Sequence, residues 1–144
     1  MESADWARVA AAVPRELAPY VLDFEWDRER LWALALPVES LPVACLEWQL
    51  DLPWWRHGDR PFALAPRAVL RDPARHPLHS ARALEACLGF PLDITWRGGR
   101  WTILDGVHRL VKAVALGLRD VRVRKVPGPA LAAIAVPGAQ RRAA

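Results

Sequence analysis

At 144 residues, 53% apolar and 25% charged, the chain is long enough to bury one sizeable core and too apolar to be disordered. Its net charge of +4 divides unevenly: residues 1–55 hold four Arg against ten acids, whereas residues 56–144 hold fourteen Arg and two Lys against six. No apolar run approaches the ~20 residues of a membrane span, and the N-terminus lacks a basic-then-apolar leader, so a cytoplasmic location is expected. Cys45 and Cys87 stand in unrelated surroundings, which gives neither a disulfide framework nor a zinc knot; both are expected in the core.

Ala4–Ala12 reads as a short helix closed by Pro14. Tyr20–Phe24 and Leu31–Leu36 read as two strands joined across Glu25-Trp-Asp-Arg-Glu-Arg30, the second apolar enough for burial on both faces. Leu41–Leu50 reads as a short strand followed by about two helical turns, ended by Pro53-Trp54-Trp55. Arg56–Arg60 is expected as a loop, and Pro66 as the first residue of a helix that stops before Pro73. His79–Leu88 has helical spacing with Gly89 as its cap. Leu92–Trp96 and Trp101–Leu104 flank Gly98-Gly99, a two-residue hairpin signal, because that turn needs positive φ at both positions.

A helix is expected over Gly106–Leu116, stopped at Gly117, with a last strand over Val121–Val126. Together these elements predict an α/β or α+β single domain with a small mixed sheet over residues 1–126, its motif-bearing part within 31–126. Residues 127–144, rich in Pro, Ala and Gly, read as a loosely packed tail.

The segment Trp101 to Lys112 carries the chemistry. A strand runs through Asp105-Gly106 directly into a helix whose first turn holds His108 and Arg109. Helix starts expose backbone N–H groups with a partial positive charge, Gly permits close approach, and three basic side chains stand beside them. Gly106, Val107, His108, Arg109 and Lys112 are therefore candidate phosphate-binding residues, with Asp105 as N-cap.

Trp101-Thr-Ile-Leu-Asp-Gly-Val-His-Arg-Leu-Val-Lys-Ala113, followed by Gly117 and the Val121–Val126 strand, resembles the ParB N-terminal/sulfiredoxin-like superfamily. Weaker likenesses lie upstream, in His76-Pro-Leu-His79 to Arg82 ahead of Pro91-Leu-Asp-Ile94, and in Trp48-Gln-Leu-Asp-Leu-Pro-Trp-Trp55; the whole spans Leu31 to Val126. Sulfiredoxins place a catalytic Cys directly before the His, where this chain has Val107, so their reductase chemistry is not available. Partition proteins bind CTP through an Arg-rich turn and add a DNA-binding domain, and this chain matches neither feature. The serine kinases of the superfamily carry the nearest turn, with a separate Glu as base.

The resemblance thus implies a nucleotide, ATP, ADP or CTP, bound with Mg²⁺, in a small-molecule phosphotransferase or nucleotide hydrolase, with a nucleotide or a phosphorylated small molecule as partner. It would make Asp105 the metal- or acceptor-orienting residue and give the base to Glu47 or Asp51. The rival reading is a non-enzymatic module that binds nucleic acid or a protein through the basic half.

Overall fold

The structure, a computed structural model, describes residues 3–139 and 141. Helix α1 (Ser3–Ala11) is followed by turns and by α2 (Arg28–Trp32). Strand β1 (Val38–Pro42) leads through 3₁₀ turns at Val43–Cys45 and Glu47–Asp51 to a hairpin of β2 (Trp55–His57) and β3 (Arg60–Leu64). Helices α3 (Pro66–Arg71) and α4 (Pro77–Glu85) precede β4 (Leu92–Arg97), β5 (Arg100–Asp105), α5 (Val107–Ala115) and β6 (Asp120–Lys125). A final 3₁₀ helix covers Gly128–Ile134. No helix among the described residues is long and apolar enough to cross a membrane.

This is an α+β fold built on one mixed sheet in the order β1-β6-β4-β5. Strands β4 and β6 are parallel, joined by a crossover through β5 and α5, and the other pairs are antiparallel. The β4–β5 hairpin turns at Gly98 and Gly99, with φ of +62° and +79°. Gly98 is needed twice over, since a Cβ there would lie 2.6 Å from the Tyr20 ring. At the other end, Asp93 pairs with Asp105 and Ile94 with Ile103, so Leu104 is an extra residue beside the turn. Such bulges re-aim the residues that follow them.

Alternation along the strands sends Leu92, Ile94, Ile103, Val121 and Val123 into one core beneath α3, α4 and α5. The opposite face carries Asp93, Thr95 and Arg124 and is covered by a second core of Leu22, Leu31, Val126 and Ile134. Strand β4 is therefore buried on both faces from Leu92 to Thr95. The acidic first half folds partly against the basic second half, through Asp23–Arg141, Glu39–Lys125 and Asp51–Arg67.

Six expectations are corrected. Tyr20–Phe24 is not a strand, and Leu31 sits in helix α2, where Asp27 caps the first turn by accepting from the Glu29 N–H at 2.9 Å. Arg56–Arg60 lies within the β2–β3 hairpin rather than a free loop. Helix α4 ends at Glu85, short of Gly89, and both cysteines are exposed. The tail is not loose over Gly128–Ile134: Ile134 is fully buried, and Trp26 bridges to Ala135. Residues 140 and 142–144 of that tail lie outside the described residues.

Candidate functional site

A pocket of about 370 Å³ opens over the strand–turn–helix junction that the sequence singled out. Gly106 makes the junction possible. Its φ is +117°, and a Cβ there would stand 3.0 Å from the Cγ of Leu92, which is buried under the turn. The chain can therefore leave β5 and enter α5 with no intervening loop. Asp105, Gly106, Val107 and His108 form one side of the pocket.

The other walls come from residues the sequence did not connect with this turn. Trp26 and Arg28 arrive from the segment before and within α2, and Trp54, Trp55 and Phe62 from the β2–β3 hairpin and the residue before it. Phe62 has a φ of +50°, and it is the one non-glycine residue with positive φ among those described. A side chain held there costs about 1–2 kcal/mol, and such strain concentrates where a ring must be aimed at a site.

His108 and His79 lie side by side over the Trp55 indole, with centroids 4.2 and 4.4 Å from it and their planes within 15° and 3° of parallel. His108 Nε2 is 3.1 Å from His79 Nδ1, and His79 Nε2 is 3.0 Å from the Arg56 carbonyl. A carbonyl can only accept, so His79 Nε2 carries a proton. With His79 neutral, its Nδ1 accepts, the His108 Nε2–H donates, and His108 Nδ1 is left unprotonated. Burial, reinforced by His79 once that ring is protonated and by Arg82 and Arg28, and opposed by Asp105, pushes His108 down to about 4. The ring is neutral at pH 7.

Asp105 does not cap α5. The N-cap is Gly106, with no side-chain cap bond. The bulge turns the carboxylate aside: Oδ2 accepts from Trp32 Nε1 at 2.9 Å and Arg109 Nη2 at 3.2 Å, and Oδ1 lies 3.5 Å from Arg28 Nε. Two guanidinium groups and an indole already surround it.

Arg109 and Lys112 turn away from the pocket. Arg109 Nη1 donates to the Phe90 and Pro91 carbonyls. Lys112 Nζ donates to the Leu84 and Ala86 carbonyls, each at 2.8 Å, which closes the C-terminal end of α4. Of the basic trio, only His108 lines the cavity, and Arg28 supplies the cation that Arg109 and Lys112 do not.

Glu47 and Asp51 are engaged elsewhere as well. Asp51 pairs with Arg67 at 3.1 Å, a hydrogen bond that lowers the Asp51 pKa, and the Glu47 charge also acts on Arg67. Neither lines the pocket.

Comparison with family models, with curated proteins and with solved structures gave no match.

Proposed function

We propose that this chain binds a small anion bearing a planar ring, a ligand of the nucleotide class, in the pocket at the start of α5. The observation that carries this reading is the pairing of aromatic walls with a helix start in one cavity. Trp26, Trp54 and Phe62 offer flat apolar surface, while the first turn of α5 offers backbone N–H groups and the positive end of its dipole. The Arg28 side chain is 63% exposed and, among the described residues, makes one long contact, to Asp105, so its fork retains donors for a phosphate. The cavity volume falls in the range of small-molecule sites. The Asp-Gly-Val-His-Arg turn, with its likeness to the ParB/sulfiredoxin-like superfamily, supports the same reading.

Mg²⁺ does not fit Asp105, because the carboxylate is engaged by Arg28, Arg109 and Trp32, whose positive charges and N–H donors would repel a cation. The position of Glu47 and Asp51 beside Arg67 likewise favours binding over phosphoryl transfer.

Calorimetry and thermal melting with ATP, ADP, CTP, GTP and inorganic phosphate test the proposal. At 100 times Kd a nucleotide adds about 2.7 kcal/mol to stability. Arg28→Ala, a change at an exposed side chain, should weaken binding at least tenfold and leave the ligand-free melting temperature unchanged. No heat and no melting shift with any of these compounds at millimolar concentration would refute it.

A further inference from the structure

A second cavity, of about 460 Å³, lies on the sheet face opposite the main core. The Asp105–Arg109 ion pair divides it from the first pocket, since Asp105 lines one and Arg109 the other. Its mouth is formed by Trp32 and Phe90, which leave 54% and 65% of their surface in water. The Trp32 ring is not free to swing, because its Nε1–H is held by Asp105. Pro91 completes an apolar wall.

The floor is polar, with Asp93 only 2% exposed on β4 and yet reaching the cavity. Its Oδ1 accepts from Arg124 Nε at 2.6 Å, and its Oδ2 has no hydrogen-bond partner among the described residues. That oxygen is not sealed from solvent, so a donor entering the cavity can reach it. The neighbouring guanidinium groups, by contrast, are committed. Arg124 Nη1 and Nη2 donate to the Leu34 and Leu31 carbonyls at 2.7 and 2.9 Å, and Arg109 donates to Pro91 and Asp105. The site offers an acceptor and flat apolar walls, and its donors are turned elsewhere.

We infer that this cavity is a second ligand site, for a neutral, flat aromatic molecule whose N–H donates to Asp93 Oδ2 while its ring lies against Trp32 and Phe90. Neutrality follows from the charges. Arg124 already offsets Asp93, Arg109 stands beside it, and a cationic ligand would meet two guanidinium groups. An anion would meet the Asp93 carboxylate at the floor.

Three probes separate these requirements: indole, 1-methylindole, which carries a methyl group in place of the donor hydrogen, and benzamidine, which is cationic. Saturation-transfer NMR, with amide shifts at Phe90 and Asp93, reads their binding to the full chain. Indole should bind, and 1-methylindole and benzamidine should each bind at least tenfold more weakly. Phe90→Ala, a change at an exposed side chain, should weaken indole several-fold, and Asp93→Asn should reduce the preference for indole over its methylated form. If Asp93→Asn fails to fold, the methylated probe still tests the donor. Equal binding of indole and 1-methylindole, no effect of Phe90→Ala, or no indole binding at millimolar concentration would each overturn the inference.

Discussion

Gln49 ties the functional corner together, and replacing it with Leu should cost the fold about 2–4 kcal/mol. The side chain is fully buried beneath the edge strand β5. Its Oε1 accepts from the Ile103 N–H at 2.7 Å, and its Nε2 donates to the Leu46 and Trp101 carbonyls at 3.3 and 3.4 Å. As the outer strand of its sheet, β5 has only β4 beside it to satisfy its backbone, and Gln49 stands where a further strand would.

Leucine keeps most of the apolar volume, so the loss comes mainly from polar groups rather than from a cavity. An orphaned buried N–H costs about 1–3 kcal/mol, and the two longer bonds to carbonyls add about 1 kcal/mol together. For a domain of this size that corresponds to a fall in melting temperature of about 6–12 °C. Circular-dichroism melts and urea titrations of the parent and Gln49→Leu measure it. A fall of less than about 2 °C would mean that water replaces Gln49 at Ile103, and would refute the reasoning.

Gly106→Ala forces a Cβ into left-handed backbone and against Leu92, and should destabilise by about 2–4 kcal/mol while abolishing nucleotide binding; melting and calorimetry on the same sample read both. His108 should make stability fall with acid. Its folded pKa of about 4 lies below the unfolded value of 6.5, so its contribution is complete above pH 6.5 and is lost as pH falls through that window. Full burial would make this about 3 kcal/mol, and the half-buried ring reduces it to about 1.5 kcal/mol. Urea denaturation of the parent and His108→Gln should show a stability gap that shrinks on acidification; a gap independent of pH would count against the buried neutral ring.

The β4–β5 hairpin, α3, α5 and β6 were legible because each carries its own local signal: paired glycines, proline at a helix start, an apolar face ended by Gly117, and alternating valines. The segment Leu31–Leu36 was not, since a short apolar run fits a strand and a buried helical turn equally well. Asp27 followed by Glu29 was the cue for the cap. The β2–β3 turn carried a Gly58-Asp59 signal, masked because Trp55–His57 and Arg60–Leu64 lack clean apolar alternation.

At the site, the turn and His108 were visible from spacing, but the orientations of Arg109 and Lys112 were not. Helical spacing puts them near the α5 start, and it cannot say that the Pro91 and Leu84 carbonyls lie closer than any ligand. Arg28, Trp26 and Phe62 reach the pocket through long-range packing, for which a single chain gives no local sign.

The second core also sets the order in which the pocket can form. Its staples join segments far apart in the chain: Arg141 reaches Asp23 across 118 positions, and Arg124 reaches Leu31 across 93. Closing loops that long is slow compared with forming a hairpin or a helix. During synthesis the β4–β5–α5 unit can assemble and present Asp105 to Arg28 while Trp26 still lacks its bridge to Ala135. The Trp26 wall of the pocket is thus fixed only once Ala135 has emerged, so ligand competence reports docking of that segment as well as formation of the sheet.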